Sequence, residues 1–449
     1  MHRPLRPLRT APLALLLAAA PASLAAQPLT ADERRVVRYV DVRTEEAVGL
    51  LQRLVDINSG TMNHAGVREV GRVLRAQLDS LGFRTRWIAM PDAVNRAGHL
   101  FAERDGGRGK RLLLIGHLDT VFEESSPFQR FTRSGTTAAG PGVNDMKGGN
   151  VVIVYALRAL HAAGLLEGTR IVVAFTGDEE SAGQPLGVSR GDLVEAGKRA
   201  DAALEFEGGS RGPEGEYAVT ARRSASSWTL RVRARPGHSS GIFREGSGSG
   251  AIFEAARILT AFHEELRGEP YLSFNPGVVL GGTEVSFEED QGRGTAFGKD
   301  NVIAATAVAS GDVRTISDEQ LQRVRERMRE IVARSLPQAQ AEITFTDGYP
   351  SMSPTPGNAA LLETLNGVNR DLGVPPMRAF DPARRGAADI SFVAPYVDGL
   401  AGLGVHGSGS HTDRETVDLS TLPLVIKRAA LLIHRLTREP PLDRTAPRE

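Results

Sequence analysis

Apolar residues recur every three to four positions from Thr30 to about Leu81, through "ERRVVRYVDVRTEEAVGLLQRLVDI" and "GVREVGRVLRAQLDSLG". That period predicts amphipathic helices, the last stopped at Gly82. The pattern then shortens. "RTRWIAM" and "HLFAER" read as strands, and "RLLLIG" as a more deeply buried one. A Gly/Pro-rich loop, "GPGVNDMKGGN", leads into an apolar helix, "VVIVYALRALHAAG". "TRIVVAFTGDEE" and "ADAALEFEGG" are again strands, each ending in acids. Strands alternating with helices predict an α/β domain with a mostly parallel sheet.

After residue 223 the texture changes. "SSWTLRVRARPG" alternates as a half-exposed strand, "SGSGAIFEAARILTAFHEEL" is a helix and "NVIAATAVASGDVRT" a strand. A second helix, "SDEQLQRVRERMREIVARS", opens with Ser317 and has Gln320 three residues on, a capping-box pattern. "AEITFT" is the last strand. This order predicts a smaller α+β domain over 224–346. The first texture returns at about 347, with "GNAALLETLNGVNRDLG" and "TLPLVIKRAALLIHRLT" helical. The reading is a catalytic domain, 27–223 plus 347–438, with the small domain inserted and a disordered tail over 439–449.

Charge changes the picture by exclusion. Lys plus Arg and Asp plus Glu both total 54, so neither nucleic acid nor an anionic membrane is expected as the main partner. The chain has no cysteine; a metal would have to be held by His, Asp and Glu. The N-terminus, "MHRPLRPLRTAPLALLLAAAPASLAAQ", reads as a secretory signal over 1–26. The expected product is an exported, periplasmic or secreted protein with no membrane span.

The chemistry-bearing residues fall at strand and loop ends. "GHLDTV" places His117 and Asp119 two apart, on one side of an extended segment. Asp145 stands in "VNDMKGG", Asp178, Glu179 and Glu180 in "TGDEES", and Glu207 in "EFEGG"; "GVHGSGSHTDRETVDL" adds His406 and His411. In a doubly wound sheet the carboxyl ends of the strands face one crevice. Three adjacent acids there repel one another unless a cation is held among them.

Taken in order, "GHLDTV", "GPGVNDMKGG", "TGDEES", "ADAALEFEGG" and "HTDRETVDL" resemble the di-zinc exopeptidase family of glutamate carboxypeptidase, acetylornithine deacetylase, succinyl-diaminopimelate desuccinylase and aminoacylase. Glutamate carboxypeptidase looks nearest among these. The resemblance covers the chain from about Thr30 to Leu436 and implies two Zn2+ per subunit. It gives His117 as a zinc ligand oriented by Asp119, Asp145 as the bridging carboxylate, and Glu207 on the metal held by His117. Glu180 and His411 fall on the second metal and Glu179 is the general base. It also implies a cis peptide between Asp145 and Met146. The inserted domain would be a lid and dimerisation domain, its His238 reaching a partner's active site. Asn301 and Arg314 would hold substrate. One departure is "TDGYP", where Tyr349 stands about where glutamate carboxypeptidase has a further arginine.

The resemblance therefore implies a zinc-dependent amide hydrolase that releases a C-terminal amino acid from a small peptide or N-acyl amino acid. An N-acyl amino acid deacylase is the alternative within enzymes, and an aminopeptidase a more distant one. A non-catalytic metal- or peptide-binding relative would be marked by loss of Glu179 or a ligand, and neither is lost.

Overall fold

The apolar run Leu112–Ile115 is buried because its strand lies inside a six-stranded sheet. The computed structural model describes residues 28–442; the leader read at 1–26 lies outside them. Across the sheet the strands run Arg84–Ile88, His99–Asp105, Thr169–Thr176, Arg108–His117, Ala202–Glu205 and Gly399–Leu400. The last four are mutually parallel, and the first two antiparallel to their neighbours. Successive side chains of a strand face opposite ways. Leu112 and Leu114 thus join the core under helices Ala31–Val55, Lys147–Ala162 and Leu422–Leu436. Leu113 and Ile115 join a second core on the other face, with Leu193 and Ile390.

A second sheet carries Ser273–Gly282, Thr306–Arg314, Ala225–Ala234 and Ala339–Tyr349, in that order and all antiparallel. Helices Ala251–Leu266 and Asp318–Val332 cover one face, over Trp228, Leu230 and Val232. The edge strand Ser273–Gly282 and the hairpin Glu284–Glu288/Arg293–Phe297 are elements that the sequence pattern did not reveal. Pro276 and Gly277 break the alternation there, and an edge strand tolerates a proline that a central strand would not. The last strand runs three residues past the boundary read at 346.

Two local expectations need correction. Ser317 does accept the Gln320 N–H, but the Gln320 side chain takes the N–H of Ile316 instead of that of Ser317. A reciprocal capping box occurs at Thr30 and Glu33. The tail read as disordered from 439 also begins with an anchored residue. Glu439 accepts the Lys110 N–H at 3.0 Å and pairs with its ammonium at 2.6 Å. Residues 443–449 lie outside the described residues. Among the described residues no helix is long and apolar enough to cross a membrane.

Candidate metal centre

The parallel strands Arg108–His117, Thr169–Thr176 and Ala202–Glu205 end side by side, so the residues following them meet. His117 is the last residue of its strand and is 1% exposed. Its Nε2 lies 3.3 Å from Asp145 Oδ1, while His411 Nε2 lies 3.2 Å from Asp145 Oδ2 and 3.1 Å from Glu180 Oε2. Asp145 thus turns one oxygen to each histidine. Donor atoms of His117, Glu179 and Glu207 lie within 4.8 Å of one another, as do those of His117, Asp145 and Glu180. Asp145, Glu179, Glu180, Glu207 and His411 line a cavity of about 260 Å³, open to solvent, with Asn144, Arg222, Arg385 and Ser410.

Asp119 does more than face the imidazole. Its Oδ1 is 3.4 Å from His117 Nδ1. The same carboxylate accepts the backbone N–H groups of Glu179 at 3.0 Å and Glu180 at 3.1 Å, and the Thr61 hydroxyl at 2.7 Å. One fully buried acid therefore fixes His117 and the paired glutamates together.

The Asp145 loop is shaped from a distance. Glu415 is 0% exposed, and its carboxylate accepts N–H from Gly142 at 3.0 Å and from Asn144 and Asp145 at 2.8 Å each. Burial raises its pKa to about 7. Gly142 adopts φ 74°, a left-handed conformation that glycine takes without a Cβ clash. At Gly149 a Cβ would fall 1.8 Å from the Phe206 carbonyl oxygen, so only glycine lets this helix approach the strand end next to Glu207. The Asp145–Met146 peptide is cis. His411 has φ 65°, uncommon for a residue with a Cβ, and Asn144 bonds the adjacent Ser410 hydroxyl at 2.9 Å.

Electrostatics fit a cation site. Burial opposes ionisation of Asp145, yet its contacts with His117 and His411 hold it well below the usual carboxylate range. Hydrogen bonds to Asp145 and Glu180 raise His411 to about 11. Burial lifts Glu180 to about 7 and Glu179 well above its ordinary value, and for Glu179 the nearby Glu207, Asp389 and Glu180 add to the rise. Glu180 Oε1 is buried with no hydrogen-bond partner. A cluster of hard donors, one carboxylate facing two ways and one orphan oxygen suit divalent metal ions.

Beneath Glu179 lies a network that sequence reading did not find. Asp178 binds no cavity group; it pairs with the buried Arg190 at 2.6 Å, as Asp389 does at 2.7 Å. Tyr349, at the end of the second sheet's last strand, donates its hydroxyl to the Glu179 carbonyl at 2.7 Å and accepts from Arg190 at 2.8 Å. Arg222 is 1% exposed, bonds Glu205 at 2.7 Å and touches Glu207.

The residues expected to act from the inserted domain stand apart from this cavity. His238 and Asn301 are exposed neighbours, with Asn301 O accepting the Ser239 N–H at 2.9 Å. His238 Nδ1 accepts the Ser240 N–H at 3.2 Å, which leaves Nε2 as the donor of the neutral ring. Arg314 bonds Asp312 at 2.8 Å and is not among the cavity-lining residues. His406, the alternative to His411, contacts Glu216 at 3.5 Å instead of the cluster.

Comparison with known proteins agrees with this geometry. The chain is 28% identical to carboxypeptidase G2 of Pseudomonas sp. over 397 residues, 85% of this chain and 87% of that protein. The fold resembles aminopeptidase PepT from Bacillus cereus, with a TM-score of 0.68, 17% identity and coverage of 88% of this chain and 98% of that one. It also resembles the Bacillus subtilis YXEP protein, described as a dinuclear metal binding peptidase from the M20 family, with a TM-score of 0.61, 16% identity and coverage of 88% and 99%. The model of peptidase family M20/M25/M40 matches residues 113–435. With most of the chain spanned by that match and the family's kind of donor cluster at its strand ends, the protein belongs to peptidase family M20/M25/M40 and is a hydrolase of the metallopeptidase kind.

Proposed function

We propose that the protein is a two-zinc exopeptidase of carboxypeptidase type, hydrolysing the amide bond of a C-terminal residue in a small peptide or N-acyl amino acid. The observation that carries this reading is Asp145, whose two oxygens face His117 and His411 while Glu179 lies beside the same cavity. His117, Asp145 and Glu207 would hold one Zn2+, and Asp145, Glu180 and His411 the other. Bound divalent metals polarise a scissile carbonyl and acidify the attacking water.

The chain's own part is proton management. Glu179 takes one proton as water oxygen bonds to the carbonyl carbon, then delivers it to the amide nitrogen as the C–N bond breaks. The second water proton, left on the new carboxyl group, passes to the amine, so the products are a carboxylate and an ammonium. Burial raises the Glu179 pKa above the usual carboxylate range, the direction that favours holding the proton between the two transfers. Asp119 keeps Glu179 in register with the ligands through the backbone.

In this reading the lid acts across a homodimer of an exported protein. The exposed His238 would stabilise the oxyanion in a second copy's site, and Asn301 and Arg314 would hold substrate there. The lid exposes Ile252, Phe253, Val279 and Phe297, each more than half exposed or at half, an apolar set that a second subunit would cover. The test is a panel of N-acyl amino acids and dipeptides with zinc-loaded protein and its Glu179→Gln variant. The expected result is release of the C-terminal residue by wild type, and a variant with full metal content but 10²–10⁴-fold lower turnover, roughly what a positioned base supplies. A variant that keeps both metal and turnover would refute the assignment.

A further inference from the structure

Arg385 reaches the metal cavity from the loop Pro382–Ala388, which no motif in the chain pointed to. Its side chain is 22% exposed. Nη2 donates to the Gly208 carbonyl at 2.9 Å and to Glu207 Oε2 at 3.3 Å, and Nη1 to Ser210 Oγ at 3.4 Å. A guanidinium carries five N–H donors, so two remain without a protein acceptor among the described residues. The neighbours Gly386 and Ala387 are small and line the same cavity. The wall therefore leaves room directly in front of the cation.

Charge balance points the same way. The other arginine of this wall, Arg222, is matched by Glu205, both 1% exposed. Arg385 contacts one anionic group among the described residues, Glu207, and Glu207 is also a metal donor in the reading above. A partly buried guanidinium with two spare N–H donors in an open cavity can receive an anionic oxygen. The cavity-lining residues do not include Arg314, which is occupied by Asp312.

We propose that Arg385 is the carboxylate-recognition residue inside the metal cavity, selecting substrates that carry a carboxylate close to the scissile amide. This rests on the amide-hydrolase reading. The carboxylate has two possible sources, the free C-terminus of the released residue or an acidic acyl group such as succinyl. Both present the same two oxygens.

The experiment uses the metal-loaded full chain, with metal content measured for every variant. Wild type, Arg385→Gln, Arg385→Lys and Arg314→Ala are compared on an N-acetyl amino acid, its C-terminal amide, and the N-succinyl form of that amide. In parallel, N-benzoylglycine and N-benzoylglycinamide are titrated calorimetrically into Glu179→Gln with and without Arg385→Gln. Loss of a buried charge partner costs on the order of 30-fold or more. The expected result is that Arg385→Gln loses at least that factor in kcat/KM on the carboxylate-bearing substrates and little on the neutral one, at unchanged metal content. Lysine should recover little, because it lacks the planar fork. A preference held by the acetyl acid identifies the C-terminus as the source, and one held by the succinyl amide identifies the acyl group; either supports the proposal. An unchanged acid-to-neutral ratio in Arg385→Gln, or a ratio lost only in Arg314→Ala, overturns it. If wild type cleaves nothing in the panel, the hydrolase reading fails first. The titration then decides: equal loss of carboxylate and amide binding, or no loss, overturns the role of Arg385.

Discussion

Tyr349 is the residue through which the lid touches the base, and Tyr349→Phe isolates that contact. The substitution removes one oxygen and keeps the ring, which packs edge-on against Phe392 at 4.9 Å. Two hydrogen bonds go with it, one to the Glu179 carbonyl at 2.7 Å and one from Arg190 at 2.8 Å. The first is neutral, contributing about 1 kcal/mol, and the second charge-assisted, about 1.5–3 kcal/mol. Arg190 keeps Asp178 and Asp389, so its loss falls at the lower end. The sum is about 2–3 kcal/mol, a large share of a typical stability of about 5–15 kcal/mol.

Turnover should fall as well, and in one parameter. Glu179 would keep its N–H on Asp119 but lose the tether on its carbonyl, freeing the peptide plane that aims the carboxylate. A tenfold fall in kcat corresponds to about 1.4 kcal/mol, a plausible fraction of what the base supplies. KM should not move, since the hydroxyl is engaged beneath the base and Tyr349 does not line the cavity. Denaturant unfolding, metal content and steady-state kinetics of Tyr349→Phe measure all three quantities. Stability within about 0.5 kcal/mol of wild type together with an unchanged kcat would refute the tether.

Glu415→Ala leaves the N–H groups of Gly142, Asn144 and Asp145 without their shared acceptor; metal affinity, measured by competition with a chromophoric chelator, should fall roughly 10–100-fold, and an unchanged affinity would mean that the loop holds its own shape. Removal of metal by chelation should abolish hydrolysis and Zn2+ should restore it; activity surviving exhaustive chelation would rule out the metal mechanism. Glu216 gives a pH test away from the site: burial works against it, but Arg211 and Arg428 hold its pKa down at about 2, from 4.5. Because the folded value is depressed, this stabilisation is fully present above about pH 4.5 and is lost as pH falls toward 2. At 1.36 kcal/mol per pKa unit the shift corresponds to roughly 3 kcal/mol, which solvent screening reduces to about 1–2 kcal/mol. Glu216→Gln should be destabilised by that amount at pH 7, the gap closing below pH 3, and equal stability at pH 7 would show the ion pairs to be neutral.

What was legible in the chain follows from how locally each feature is determined. His117 and Asp119 stand two apart at the end of a continuous apolar run, and the acids close other such runs, so strand prediction alone places them at one sheet edge. Glu415, Arg190 and Arg385 carry no such mark. Each acts across more than ten residues of sequence on a group it meets only in the folded chain, as Glu415 does on the Asp145 loop 270 residues away. Tyr349 shows most clearly why. Its position was readable as the segment leaving the inserted domain, where the resemblance to glutamate carboxypeptidase implies an arginine, but its direction was not. Along most of the strand pair, Ser227 to Ala234 oppose Thr346 to Ala339 in step. Between Ser227 and Ala225 the register shifts, so that Ala225 opposes Tyr349. A slip of one residue turns every following side chain to the other face of a strand. That irregularity lies at Gly348, whose Cβ position would fall 2.1 Å from the Ala225 carbonyl oxygen. Without a side chain at 348 the strand can bend there, and the next residue swings its hydroxyl under Glu179 instead of toward the substrate cavity. A replacement at Gly348 should therefore disturb the base through Tyr349, even though residue 348 touches neither metal ligand nor substrate pocket.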